Sequence, residues 1–559
     1  MATTIAPDET QLRTTVAVWR AALAQGRTSP AYLAETADGW RPVSWDEAGR
    51  RVDELAHGFL ARGVRRGDAV GILARTSLEW VLLDWALMSI GAVVVGLYPT
   101  SSAKECAYIL DHSEAVLVIV EDEEQRAKAE GRTVLAFGDL EALAAEGRAN
   151  AADDPGAVES ARDEVAEDDL ATLIYTSGTT GPPKGCMLTH RNCAVAATRV
   201  DTQLTRSDDV LLLFLPLAHS FGRIVEHSGA FHGYTLALLA DPLGAVRAIP
   251  EVRPTALPAV PRVFEKIRAG IEAGFAETTG VKRALVEWAL RTGAHRDERR
   301  VRAAIADRLV FSKVKQKLGG RLRVGLSGGA PLATEHLEFF RTIGLLVVEG
   351  YGLTETASSC TVNRPDAYRF GTVGEPVDGC EVRLADDGEL LVRSPTIFAG
   401  YYKDEEATRA AFTDDGWFRT GDVGEIDADG FVRITDRKKD LIITAGGKNI
   451  APQNLENAVK AHREISQALV VGDRRPYVAA LVTLDPDTTR GLTPEQAQRR
   501  VQEIVDDVNR DRARVEQIKR FRILDRDFTQ DEGELTPTLK LKRRVVQERY
   551  ADEIEALYA

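Results

Sequence analysis

Residues 175–185 read YTSGTTGPPKG. Hydroxyls at Thr176, Ser177, Thr179 and Thr180, the glycines from Gly178 onward and Lys184 follow an apolar run, Ala171–Tyr175, that has the character of a buried strand. Glycine permits close backbone approach, so a hydroxyl-rich turn after a strand suits phosphate oxygens. A helix is predicted from near His190. The spacing is not the Walker pattern GxxxxGK(S/T), so an ordinary P-loop NTPase is the wrong template.

Working outward, the first 150 residues alternate strand-like and helix-like segments: Ala69–Ala74, Ala92–Leu97 and Ala115–Glu121 as strands, Leu78–Ile90 as a helix. That alternation predicts an α/β fold with a doubly wound, mainly parallel sheet. The acidic stretch Ala151–Asp169 reads as a solvated connection. The pattern then resumes, with strands expected at Val210–Leu215, Thr235–Leu239, Thr255–Val260 and Leu322–Leu326, and a charged helical region at Val281–Leu318. From Gly371 the texture changes to short strands and turns, a small β-rich unit reaching about residue 435. Beyond it come a helix at Asn454–His462, a hairpin at Ala468–Leu484, two more helices and a basic tail. The expected division is a large N-terminal domain, 1–435, and a small α+β C-terminal domain, 436–559.

A length of 559 residues suggests roughly three or four domain-sized units. The 44% hydrophobic and 28% charged content is that of a soluble globular protein. A net charge of −14 argues against a general nucleic-acid binder and disfavours a polybasic grip on anionic membranes, although local patches survive an acidic average. The five cysteines are scattered without a CxxC pair, which indicates buried or free thiols rather than a zinc ribbon or disulfide framework. The N-terminus shows no signal-peptide pattern, and no apolar run reaches membrane-spanning length. The expected location is the cytoplasm.

Six further segments carry chemistry: LFLPLAHSFGR (213–223), GLSGGAPL (325–332), VEGYGLTET (348–356), WFRTGD (417–422), TDRKKDLIITAGGKNI (435–450) and TPTLKLKRR (536–544). Singly, each has a bland reading; His219 could be a core histidine and Glu355 or Asp422 a surface carboxylate. In this order, they closely resemble the AMP-forming adenylating superfamily of acyl-CoA synthetases, luciferases and peptide-synthetase adenylation domains. The resemblance runs from about Ala69 to Val546. DRKKDLIITAGGKNIAPQNLE and LTPTLKLKRR are similar to the long-chain fatty acyl-CoA ligase branch. Many relatives end instead in a form such as PKTxSGKxxR, where Lys540 takes the place of the SGK lysine.

The resemblance implies two half-reactions, with ATP, Mg²⁺ and coenzyme A as cofactors and a fatty acid as substrate. In the first, a carboxylate attacks the α-phosphorus of ATP. Thr176, Ser177, Gly178, Thr179, Thr180 and Lys184 would hold the β- and γ-phosphates, Glu355 and the Thr176 hydroxyl would take the metal role, and Lys540 would bridge α-phosphate and carboxylate. Asp422 would accept from the ribose hydroxyls and Arg437 would reach ribose or phosphate. Gly328, Gly329 and Ala330 would form one wall of the adenine slot and Tyr351, within Gly350–Gly352, the other; Thr354 would bond the α-phosphate. In the second, a thiol attacks the adenylate after the mobile C-terminal domain rotates about Lys439, where many relatives have Asp. That rotation would present Gly446 and Gly447 to the pantetheine arm. His219 would line the acyl pocket, as a second-step participant or as a wall.

The nearest rival is an acyl-AMP ligase serving a carrier protein. Such proteins carry an insertion near the domain junction, which DRKKDLIITAGGKNI lacks. A catalytically dead nucleotide-binding scaffold is opposed by the presence of Lys540, Glu355, Asp422 and Thr176. Arg223–Tyr234 is expected to border the acyl pocket, but its mixture of charged and small residues leaves medium-chain, branched and aryl acids open. The partners expected are small molecules, with no nucleic acid, at most peripheral membrane contact, and room for a homodimer.

Overall fold

The computed structural model describes residues 12–176, 182–200, 203–445, 448–486, 488–510, 512–530, 532–536 and 540–559. Two large sheets organise the N-terminal part. The seven-stranded sheet runs in the order Gly400–Tyr401, Lys184–Thr189, Leu170–Thr176, Val93–Leu97, Ala69–Leu73, Leu117–Val120, Val134–Ala136. Its five strands from Leu170–Thr176 to Val134–Ala136 are parallel, and Lys184–Thr189 returns antiparallel. Ala69–Leu73 and Val93–Leu97 are buried at every position, as strands covered by helices on both faces must be.

The second sheet has nine strands and a parallel centre in which Val210–Leu213, Ala256–Ala259, Val324–Ser327 and Leu346–Tyr351 are neighbours. The helix Leu78–Ser89, capped by Ser77, is apolar nearly all round, and every residue from Trp80 to Ser89 is buried. A helix with no polar face has to lie inside. One apolar core, from Leu12 to Phe418, takes in both sheets.

The expected β-rich unit is a four-stranded antiparallel sheet of Glu381–Leu384, Glu389–Arg393, Phe418–Ile426 and Val432–Arg437. From Ile442 onward the apolar clusters are separate, built on a sheet of Ile465–Val471, Val478–Leu484 and Ile518–Ile523. All five cysteines are free and buried.

Two local expectations fail. Ala151–Asp169 is not a plain connection: it contains the end of the helix Leu140–Asp153 and the helix Ala157–Glu164. Val158 is buried there, and Arg162, also buried, bonds Asp53 and Glu159, so charge density concealed an amphipathic helix. Lys184 is not a loop residue but the first of a strand, where it pairs with Thr176 across the hairpin.

Candidate active site

The carboxyl ends of the parallel strands, the β-rich sheet and the C-terminal part enclose one cavity of about 2110 Å³. Ligand crevices form at this edge because strands there open into loops on both sides of the sheet. Thr176, Lys184, His219, Gly328, Gly329, Ala330, Gly350, Tyr351, Gly352, Thr354, Glu355, Asp422, Arg437, Lys439 and Lys540 all line it. Ser177, Gly178, Thr179, Thr180, Gly446 and Gly447 lie outside the described residues.

The strand Leu346–Tyr351 delivers Tyr351, whose hydroxyl donates to Asp422 Oδ2 at 2.5 Å. The other oxygen of Asp422 faces Arg437 Nε at 3.2 Å, and these two residues are cross-strand partners in the β-rich sheet. Asp422 is buried, yet each carboxylate oxygen has a second lone pair to offer. The expected adenine wall and ribose acceptor are thus joined by a direct hydrogen bond. The opposite wall is slim: Gly329 has φ +85°, a backbone only glycine adopts without strain, and a Cβ there would stand 3.8 Å from Lys540 Cε.

After Tyr351 the chain turns sharply. A Cβ on Gly352 would overlap the Ser358 backbone at 2.2 Å, so only glycine fits. Ala357 (φ +48°) and Ser358 (φ +62°) are both left-handed, a strained pair held by hydrogen bonds from Ser358 N to Leu353 O (2.8 Å) and from Ser358 Oγ to Ser220 Oγ (2.6 Å). This turn presents Glu355, which accepts from the Tyr401 hydroxyl at 2.9 Å. Thr176 Oγ1 lies 3.9 Å from Cys186 Sγ; burial and then the Glu355 charge raise that thiol's pKa. Thr176 and Glu355 therefore flank the same buried thiol, and their oxygens are the hard donors that Mg²⁺ prefers. Lys184 packs over the Tyr401 ring and pairs with Asp404 at 3.3 Å.

His219 caps the helix Ser220–His232, its Nδ1 accepting from Phe221 N–H at 3.1 Å. Nδ1 is therefore the acceptor, and a neutral ring carries its proton on Nε2. Burial, with the Lys540 charge adding, lowers its pKa to about 3. At neutral pH the His219 ring is uncharged, with its N–H on Nε2.

Lys540 comes from the C-terminal part. Its loop closes where Thr536 N donates to Lys540 O (2.7 Å) and Lys540 N to Thr536 Oγ1 (2.9 Å). Beside it, fully buried Glu534 is clamped by Arg526 and Arg549 at 2.7 and 2.9 Å. Burial, then the Arg437 charge, lower the Lys540 pKa to about 8, against the pull of Asp422 and Glu355. Lys439 is exposed at the cavity edge. Arg262, on the helix Pro261–Ala276, reaches across to Ser466 Oγ at 3.0 Å.

An apolar arm of the cavity follows the second sheet. Leu211, Ala256 and Val324, which line it, form one cross-strand row at the amino ends of their strands. Ser327, three residues on from Val324, also lines the cavity, so at ~3.3 Å per residue the lining follows about 10 Å of strand, and Leu204 and Val200 line it too. The helix Ser220–His232 turns Phe221, Ile224, Val225 and Ser228 to this arm. Its charged residues Arg223, Glu226 and His227 are buried on the other side, so the charge read in Arg223–Tyr234 does not enter the pocket. Sequence reading missed Tyr401, Asp404 and Glu349; the last is buried, lines the cavity, accepts from Leu332 N at 2.8 Å and is pushed up to about 8 by burial. Only long-range pairing brings Tyr401 and Asp404 in, whereas Glu349 lies inside the motif VEGYGLTET and was given no role.

A family model described as AMP-binding enzyme matches residues 19–402, and one described as AMP-binding enzyme C-terminal domain matches residues 439–559. The long-chain-fatty-acid–CoA ligase FadD15 of Mycobacterium tuberculosis is 40% identical, with 93% of this chain and 92% of that protein covered. The long-chain-fatty-acid–CoA ligase ACSBG2 of Xenopus laevis is 32% identical over 94% of this chain and 81% of its own. Among solved structures, ATP-bound MatB from Rhodopseudomonas palustris is 27% identical with a TM-score of 0.71, covering 97% of this chain and 99% of that one. With both parts of the chain matched in order, the likeness read from the motifs becomes membership: the chain belongs to the AMP-binding enzyme family.

Proposed function

We propose that the protein is an AMP-forming long-chain fatty acid–CoA ligase. A carboxylate oxygen of the acid attacks the α-phosphorus of ATP, the bond to the bridging oxygen breaks, and pyrophosphate leaves with that electron pair. The CoA sulfur then attacks the acyl carbonyl, the bond to AMP breaks, and the thiol proton is released. The observation that carries this reading is Lys540: a lysine from the C-terminal part lines the same cavity as Asp422, Arg437 and Glu355 and feels their charges.

Two anions must meet in the first step, so a cation between them lowers the barrier. Lys540 supplies that charge as a point cation on a flexible stem. Asp422 takes the ribose hydroxyls, Tyr351 and the Gly328–Ala330 turn hold adenine, and Thr354 and Arg437 steady the phosphate side. Lys184 exchanges Asp404 for the outer phosphates. Glu355 and Thr176 would hold Mg²⁺, which neutralises phosphate charge when bound. Neutral His219 donates from Nε2 to the acyl carboxylate.

For the second step, the residues beyond Lys439 rotate about it and carry Lys540 away, while Asp436 and Arg437 stay in the β-rich sheet. Separate cores on the two sides of this junction support such a motion. The apolar arm supports a long aliphatic chain over a short or aryl acid.

The test is a panel of acids assayed for pyrophosphate exchange and for CoA-dependent AMP release. Long-chain acids should drive both. Exchange without CoA-dependent release would point to a carrier-protein acceptor, and absence of exchange with every acid would overturn adenylation.

A further inference from the structure

Arg262 stands in the first turn of the helix Pro261–Ala276, where Glu265 accepts from its Nη1 at 3.3 Å. From there it crosses to the C-terminal part. Its Nη2 donates to Ser466 Oγ at 3.0 Å, and its Nη1 reaches the Ser466 carbonyl at 3.5 Å. Asp485 adds a carboxylate oxygen 4.0 Å from Nη2. Ser466 sits where the pairing of Ile465–Val471 with Val478–Leu484 shifts register, between Ile465 and Gln467. Such a shift re-aims a strand residue, and here the side chain and the carbonyl of one residue meet the same guanidinium.

The contact is continuous with the lysine loop. The one hydroxyl proton of Ser466 goes to Asp527 Oδ2, so its oxygen meets Arg262 with lone pairs. The other oxygen of Asp527 accepts from Thr483 Oγ1 at 2.7 Å. Arg526, the neighbour of Asp527, grips Glu534, and the Glu534 carbonyl accepts from Lys542 N at 2.8 Å. Leu469 and Val471, on the strand that carries Ser466, share an apolar cluster with Phe528 and Leu535. A path of bonds and packed side chains therefore runs from an N-terminal helix to the backbone on both sides of Lys540.

We propose that Arg262 is a positioning residue for adenylation: by clasping Ser466 it seats the C-terminal part so that Lys540 stands in the cavity. This rests on the role given to Lys540 above. An ion pair between exposed side chains would hold little. Ser466, however, is buried, and a charged donor shared between its hydroxyl and its carbonyl makes a stronger bond. Arg262 touches neither nucleotide nor acid in this arrangement. It acts by favouring one orientation of the C-terminal part, and it must let go when Lys540 withdraws.

The test measures pyrophosphate exchange and conversion of supplied acyl-AMP to thioester on the full chain. Arg262→Ala should lower exchange about tenfold, the scale of a lost hydrogen bond from a charged group, and should not slow the conversion. In a Lys540→Ala background Arg262→Ala should cost nothing further, because no lysine is left to position. Arg262→Lys keeps a donor and should recover part of the exchange. If Arg262→Ala fails to fold, Arg262→Lys with and without Lys540→Ala makes the same comparison. Wild-type exchange by Arg262→Ala, equal loss in both steps, or losses that multiply in the double variant would each overturn the clasp while leaving the ligase reading intact. Absence of exchange by the wild-type chain with every acid would instead overturn adenylation, and the clasp with it.

Discussion

The helix Ser220–His232 separates two charged clusters that differ in what completes them. On the cavity side, Asp422, Arg437, Glu355 and Lys540 line open space. On the other, Asp84 is fully buried, its Oδ1 2.6 Å from Arg223 Nη2 and its Oδ2 3.0 Å from His227 Nε2. Arg223 also donates to Thr172 Oγ1 at 3.0 Å and lies over the Trp80 ring. Glu226 lies beside the group, its pKa raised by burial and by the charge of Asp84. The inner cluster cancels its charges internally. Among the described residues it leaves both Glu226 oxygens and Arg223 Nε without hydrogen-bond partners. It is sealed in the core, however, whereas the outer cluster opens onto the cavity, and that access marks a candidate binding site off from a buried ion group.

The strongest way to break this comparison is to unpair the inner cluster. Asp84→Ala should cost about 3–5 kcal/mol in urea unfolding, because it strands Arg223 in the core. Joint Asp84→Leu and Arg223→Met should cost less than Asp84→Ala alone; an equal or larger cost would mean that the ions themselves hold the fold.

The same kind of deletion in the outer cluster should spare stability and strike the reaction. Lys540→Ala is expected to lower pyrophosphate exchange by about 10²–10³, the scale seen when one preorganised donor is lost. Conversion of supplied acyl-AMP to thioester should stay near wild type. Equal loss in both steps would break the assignment of Lys540 to adenylation.

Much of this contrast was legible in the sequence on the cavity side and little of it on the other. Buried parallel strands are continuous apolar runs, so both sheets could be read, and the site motifs sit at strand ends where loops carry chemistry. Asp84 was visible only as a break in the apolar run Val81–Tyr98. Nothing local shows that it meets Arg223, 139 residues away. Tyr401 was hidden for the same reason, and the facing of Arg223 needed the helix to be oriented first. The helix Ala157–Glu164 escaped because its composition suggested solvent.

Smaller tests sharpen the outer cluster. Tyr351→Phe removes the donor to Asp422 and should raise the KM for ATP roughly tenfold or more, as expected for a hydrogen bond to a charged group. An unchanged KM would detach Asp422 from the ribose. With Lys540 as the cation of the proposed adenylation step, kcat/KM for exchange should be level below pH about 8 and fall about tenfold per unit above it. Lys540→Arg should lack that alkaline limb, whatever its rate.

A separate test lies at Glu349, whose pKa rises from 4.5 to about 8 on folding. Between those values the folded state holds the extra proton, so its contribution is fully present below pH 4.5 and is lost as pH rises through about 8. Glu349→Gln should flatten that part of the stability profile with little change at pH 5. A profile that keeps its slope would place the titration elsewhere.

The Glu534 clamp beside Lys540 has a kinetic consequence. With Arg526 and Arg549 both on one fully buried carboxylate, the base of the lysine loop is tied firmly to its domain. On the rotation proposed above the lysine would be a passenger, withdrawing when some 120 residues move together through solvent and not when a short loop unfurls. Turnover limited by that departure should respond to solvent friction, slowing in step with viscosity as a local side-chain motion would not.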